Sequence, residues 1–296
     1  MHQPRASRFA FPALLVGNLF LAAGPWMVRL ADVGPTASAF WRFALALPLL
    51  ILLATRGSVA GRIDRWLIGA VALGGLFFAI DLVLWHESIL RTRLANATLF
   101  GNMSSFLFVL YGFVAPRALP RPVQALALAL AGLGAALLLG GSYELSPAYF
   151  TGDLLALGAA FFYALYLIAA DRARRTMAAW PVLAIATGAG TLPLLLFALA
   201  MGEQVMPGDW TPLILLSLGS QLIGQGLLVY AMGHLSPAVV GIGLLTQPAA
   251  AAAIGWLAYR ESLSPVDAIG ALLVCAALVL VRLPAPGLAT HGPPAQ

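Results

Sequence analysis

SPAVVGIGLLTQPAAAAAIGWLAYRESLSPVDAI, Ser236 to Ile269, reads as one apolar span from Val239 to Tyr259, closed by Arg260-Glu261, and a second span that restarts after Ser264-Pro265. An uncharged run of that length is long enough to cross hydrocarbon as a helix. Gln247-Pro248 sits near its middle. At that depth an unpaired amide costs on the order of several kcal/mol, and a proline leaves one carbonyl without its helical N–H. Neighbouring helices must therefore supply partners.

Working outward, the whole chain has this character. Its 296 residues are 61% hydrophobic and 9% charged, with mean hydropathy +0.93. A water-soluble domain of that composition would expose large apolar patches, so the chain is an integral membrane protein. Counting about 20 apolar residues per crossing gives about ten spans, near 9–30, 36–55, 66–86, 94–115, 121–140, 150–170, 179–200, 210–232, 238–259 and 265–282. The runs are too long and too evenly apolar for barrel strands, which predicts an all-α fold of about ten transmembrane helices. Phe9 to Leu30 follows Arg5 and Arg8 as a signal sequence would, but it is long enough to span and is expected to stay as the first helix. Residues 1–283 are expected to form one membrane domain, and 284–296, rich in Pro and Gly, a disordered cytoplasmic tail.

The net charge of +5 comes from arginines scattered singly or in small groups between spans, a topological pattern and not a nucleic-acid surface. With the N-terminus inside, Arg56, Arg62, Arg65, Arg117, Arg121, Arg172, Arg174, Arg175 and Arg282 fall on the cytoplasmic side, whereas Arg29, Arg91, Arg93 and Arg260 fall outside. Both termini are thus expected in the cytoplasm of a bacterial-type inner membrane. Sliding the halves against one another gives a weak repeat at an offset of about 144 residues, about 9–140 on 150–282, which lays Gln225 on Asp81. Five helices per half is an odd number, so the halves would be inverted, a plan common in secondary transporters.

Two stretches carry a family resemblance. Gln247-Pro248 within an apolar span, followed by Glu261-Ser262-Leu263-Ser264 and Gly270 in the last span, is similar to the end of an EamA repeat of the drug/metabolite transporter superfamily. Gly152-Asp153-Leu154-Leu155-Ala156-Leu157 with Tyr163-Ala164 resembles the opening of the same repeat. Arg117 stands in the first half where the second has Glu261. The resemblance implies export of amino acids, related metabolites or drugs. It also makes Arg42, within Phe40-Trp41-Arg42-Phe43, similar to an arginine common in the family's second helix.

Polar residues at bilayer depth are expensive unless paired or facing water. Counting 1.5 Å per residue along each span puts Asn18, Asn102, Ser104, Ser105, Tyr163, Gln221, Gln225 and Gln247 near the midplane. They could be interhelical glue; taken as a group they predict a shared cavity between the halves. Arg42 and Asp81 fall in the outer half of the bilayer and are expected to form a buried ion pair, as gate or as structural clamp. His86, beside Trp85, and His234 are expected at the membrane interfaces. Phe77 and Phe78, with Tyr163, are candidates for an aromatic wall against a bulky side chain, although helical period cannot orient them where every face is apolar.

There is no GxxxxGK[ST] loop, no HExxH and no serine–histidine set at matching depth, so neither an ATP-driven pump nor an enzyme is expected. The lone Cys275 permits no intrachain disulfide, and neither metal nor cofactor is called for. The expected partners are the bilayer and a small-molecule substrate. A neutral, amide-rich lining with few fixed cations argues against phosphorylated cargo. It fits a zwitterion with a bulky side chain, as for an exporter resembling the YddG type for aromatic amino acids. A broad exporter of hydrophobic drugs and, less well, a channel are the alternatives.

Overall fold

The structure, a computed structural model, describes residues 7–56, 64–92, 97, 100–115, 117, 119–140, 147–250 and 265–282. Arg260, Glu261 and the tail 284–296, on which an outer loop and a disordered end were expected, lie outside the described residues. Among the described residues there are helices and no strands. Apolar runs that must satisfy their own backbone in hydrocarbon have the helix as their open-chain solution.

The helices are α1 (Ala10–Ala22), α2 (Gly24–Leu30), α3 (Pro35–Arg56), α4 (Arg65–Arg91), α5 (Met103–Val114), α6 (Pro122–Gly140), α7 (Phe150–Ala173), α8 (Ala179–Ala200), α9 (Thr211–Leu216), α10 (Gln225–Met232), α11 (Pro237–Leu244) and α12 (Pro265–Arg282). Six stretches are long and apolar enough to cross a membrane: Ala10–Leu30, Pro35–Arg56, Arg65–Arg91, Phe150–Ala173, Ala179–Ala200 and Thr211–Met232. Shorter apolar helices at Met103–Val114, Pro122–Leu137, Pro237–Ala250 and Ala268–Val281 fall within the remaining expected spans. The chain is a multi-pass membrane protein.

Local chemistry sets the ends. The Asp64 carboxylate accepts the Trp66 N–H at the start of α4, and Ser236 Oγ accepts from Val239 N at the start of α11, where Pro237 gives up no needed donor. The expected first span is two helices, because Pro25 has no N–H to continue α1 and the chain restarts at Gly24. Between α9 and α10, Ser217–Gly224 is wound as a π-helix, the wider turn that often marks functional sites.

Packing uses small residues. A Cβ on Gly17 would lie 3.0 Å from the Gly224 carbonyl, so α1 crosses the π segment almost backbone to backbone. Helix α4 lies against α7 and α8, α3 against α8, α5 against α11, and α6 against α12. The larger core, with Leu14, Phe43, Phe78, Phe108 and Tyr166 at its centre, fills the space among α1, α3, α4, α5, α7 and α8. A smaller core joins Val109 to Ala127, Ile242 and Ala277. Leu52, Leu110, Leu192 and Leu272 are exposed on the outside of the bundle, the surface that lipid covers.

Candidate functional site

A cavity of about 320 Å3 opens among α2, α3, α4, α5, α7, the π segment and the break after α11. It reaches from Arg29, near the end of α2, to Tyr163 and Gln225 in the middle of the bundle. Both halves of the chain contribute.

Two interrupted helices form part of its wall. A turn at Asn102 precedes α5, and a turn at Leu245-Thr246 follows α11. Asn102, Ser104 and Ser105 line the cavity at the first, and Leu244 and Gln247 at the second. The second break follows from Pro248: the chain tightens, with Leu245 N–H donating to the Ile242 carbonyl at 3.2 Å and Thr246 N–H to that of Gly243 at 3.1 Å. The Gly243 carbonyl also accepts from Thr246 Oγ1 at 2.7 Å and from Asn18 Nδ2 at 2.6 Å. Carbonyls at the turn before Gln247-Pro248 are therefore met by donors from the same helix and from α1.

Aromatic rings form the floor. Phe78 stacks on Tyr166 at 4.5 Å between centroids and lies 5.5 Å from Tyr163, while Arg42 carries its guanidinium carbon 5.6 Å above the Phe78 ring. Gln225 Nε2 donates to the Tyr163 hydroxyl at 3.2 Å. Behind this layer, Arg42 Nε donates to Gln221 Oε1 at 3.0 Å, and Gln221 Nε2 donates to Thr187 Oγ1 at 2.9 Å. Beyond the floor, toward the other end of the bundle, the Tyr111 hydroxyl donates to Asp171 Oδ2 at 3.2 Å and Arg175 pairs with the same oxygen at 3.3 Å. Arg172 sits 5.7 Å from the Tyr111 ring. None of Tyr111, Asp171, Arg172 and Arg175 lines the cavity.

The expected site residues divide. Arg42, Phe78, Asp81, Asn102, Ser105, Tyr163, Gln225 and Gln247 line the cavity. Asn18 does not; it clips α1 to the α11 break. Gln221 lies one layer behind the wall as the acceptor for Arg42. Phe77 turns away from the cavity and packs at 5.7 Å on Phe162. Adjacent residues of a helix point about 100° apart, and here the turn places Phe78 on the cavity and Phe77 against Phe162. The direct Arg42–Asp81 pair is not formed: among the described residues the ion pairs are Arg91–Glu87 and Arg175–Asp171. Arg42 and Asp81 share the cavity instead.

His86 also departs from expectation. It is 3% exposed, lines the cavity, and its Nδ1 has no partner among the described residues. His234 is partly buried, with Nδ1 3.0 Å from the Tyr230 carbonyl. Ser220 and Trp26, which no sequence pattern distinguishes, also line the cavity, and Asp171, an acid one residue past an apolar run, accepts from Tyr111. Arg29 and Arg42 both line the cavity, more cation than expected, balanced in part by Asp81.

Comparison with known proteins now bears on this arrangement. Residues 150–283 match the EamA-like transporter family. The resemblance read from Gly152-Asp153 and Gln247-Pro248 is borne out at that level, and the EamA-like half carries the π segment, Gln225 and the α11 break. Over 279 residues the chain is 25% identical to an uncharacterized transporter of Archaeoglobus fulgidus, covering 90% of this chain and 95% of that one. A solved crystal structure of a protein superposes with a TM-score of 0.79 at 20% identity, over 92% of this chain and 96% of the other, which shows a shared fold. Among the described residues no group of His, Cys, Asp or Glu is placed to hold a metal ion.

Proposed function

We propose that this multi-pass membrane protein is a secondary transporter, not an enzyme, which exports small metabolites, foremost amino acids with aromatic or bulky apolar side chains, across a bacterial-type inner membrane. It works by alternating access, exposing the central cavity to one side and then the other. The observation that carries this reading is the cavity itself. Amides at two helix breaks, Asn102 and Gln247, face the same space as the Phe78 and Tyr163 rings, so one volume offers hydrogen bonds to a polar head and a flat apolar wall to a side chain. The EamA-like match and the transporter relative support the same class.

The fold reading that goes with it is ten transmembrane helices in two inverted five-helix repeats, with both termini cytoplasmic. Several features support it. Helices α3 and α8 each have 22 residues and begin 144 positions apart, the offset read from the sequence. The turns at Asn102 and Thr246 are separated by the same 144. The pairings of α3 with α8, α5 with α11 and α6 with α12 are those a pseudo-twofold axis between the halves would make.

Counterflow into liposomes with radiolabelled phenylalanine, tryptophan, leucine and threonine tests the function. Saturable uptake of the bulky substrates, reduced at least about tenfold by Gln247→Ala or Asn102→Ala, is expected, since each removes a hydrogen bond in a desolvated site. Absence of uptake for all four, with efflux of hydrophobic cationic dyes, overturns it in favour of a drug exporter. A channel would conduct without saturation, and the aromatic floor with the Tyr111–Asp171 contact beneath it favours an occluding carrier.

A further inference from the structure

We propose that the substrate's head group is bound as a zwitterion between Asp81 and Arg42, its ammonium on Asp81 and its carboxylate on Arg42. The inference rests on the amino-acid reading above and assigns that site's charge selectivity.

Asp81 on α4 and Arg42 on α3 line the same cavity. They are not in contact: no N···O approach within 4.0 Å joins them among the described residues. Asp81 accepts no hydrogen bond from any described residue, and its partial exposure is onto the cavity. Arg42 uses Nε on Gln221, which fixes the plane of the guanidinium and leaves its two terminal nitrogens without a described partner. The ring of Phe78 lies under that plane. A cation and an anion thus line one cavity without a direct contact between them.

Leaving opposite charges unpaired at bilayer depth is costly. The arrangement makes sense when something else completes each charge. An α-amino acid places an ammonium and a carboxylate on one carbon, and a charge-assisted hydrogen bond of about 2.8 Å at each end extends it to bridge a gap too wide for a direct pair. It also leaves the net charge of the site unchanged between empty and loaded states. A simple amine would satisfy Asp81 and leave Arg42 facing an apolar group; a simple acid would do the reverse. Each mismatch strands one desolvated charge, which weakens binding on the order of 30-fold or more. Ser220 Oγ, 2% exposed and without a partner among the described residues, lines the same cavity and offers the head group a further hydrogen bond.

The test uses the full-length protein in lipid nanodiscs and direct binding of three ligands that share one ring: phenylalanine, phenethylamine, which lacks the carboxylate, and 3-phenylpropionate, which lacks the ammonium. The wild type is expected to prefer phenylalanine over both by at least about 30-fold. Asp81→Asn should lose most of its phenylalanine affinity and its preference over 3-phenylpropionate. Arg42→Gln should lose its preference over phenethylamine, while Arg42→Lys, which keeps the charge without the Gln221 bond, should retain part of it. Thermal melting of each variant reports folding, and if the Arg42 variants do not fold, Asp81→Asn decides alone. Wild-type binding of either single-charge ligand within threefold of phenylalanine, or unchanged selectivity in Asp81→Asn, overturns this proposal and leaves the amino-acid reading standing. Binding of none of the three by the wild type overturns the amino-acid reading, and this one with it.

Discussion

Asn18 on α1 donates its side-chain N–H to the main-chain carbonyl of Gly243, 2.6 Å away at the end of α11 and 225 residues later in the chain. The bond ties the first helix to the break that Pro248 creates. It also makes Asn18 a structural residue, because its side chain is buried beside the cavity and not in it.

Replacing it with leucine should therefore separate stability from binding. Asn18→Leu removes the bonds to Gly243 and Thr246 and should lower stability by about 1–2 kcal/mol, the range for polar contacts between membrane helices. Substrate affinity should stay within about threefold of the wild type. Unfolding followed in detergent, beside a binding titration, measures both.

Gln221 should behave in the opposite way. Gln221→Leu takes from Arg42 the acceptor that sets its plane and from Thr187 a donor, without touching the cavity wall. Loss of a hydrogen bond to a charged group is worth about 1.5–3 kcal/mol, so substrate affinity should fall about tenfold or more. A titration that finds wild-type affinity would show that Gln221 does not position Arg42.

Helix contacts make a sharper contrast. A Cβ on Gly75 would run into the backbone carbonyl of Ala186 on α8, an atom that cannot swing aside, whereas one on Gly69, on the same helix, would meet nothing within 4 Å. Gly75→Ala should cost about 3 kcal/mol, and Gly69→Ala should change stability by less than about 1 kcal/mol. Melting temperatures of the two variants side by side give the comparison.

The loop before α9 carries a pH-dependent turn, closed by the side chain of Asp209. Asp209 Oδ1 accepts the Thr211 backbone N–H at 2.9 Å, and this bond, helped by the Thr211 hydroxyl, holds the Asp209 carboxyl below its ordinary value of 3.8. A folded value below the unfolded one means that the turn's stabilising effect is present at pH above 3.8 and is lost as pH falls through the lowered value. Asp209→Ala should melt below the wild type at neutral pH, and the two curves should converge under strongly acidic conditions. A constant difference across pH would show that the carboxylate is not the source.

Asn18 and Asn102 show where reading the chain stops. Each lies at mid-depth in an apolar span, and by composition they are equivalent. One became a clip between helices and the other a wall of the cavity, and Phe77 and Phe78 divided in the same manner. In a soluble helix the apolar stripe would have oriented such residues. Here lipid is as apolar as the core, so every face of the helix reads alike and periodicity holds no direction. Position along a span is written in the sequence, because length and charge fix depth; rotation about the helix axis is not.

That division applies to the whole molecule. The amino-acid sequence alone determined the class: long uncharged runs in hydrocarbon leave the backbone no partner but itself, so they become helices. It also determined that polar groups at mid-span, Gln247-Pro248 among them, must find partners. Tertiary structure alone decided which partners. The contact of Gly17 with Gly224 brings α1 against the π segment, Asn18 then meets Gly243, and Arg42 turns to Gln221 and leaves Asp81 across an open cavity. Those choices depend on how close two backbones can approach, a property of helix pairs that no single stretch of sequence contains.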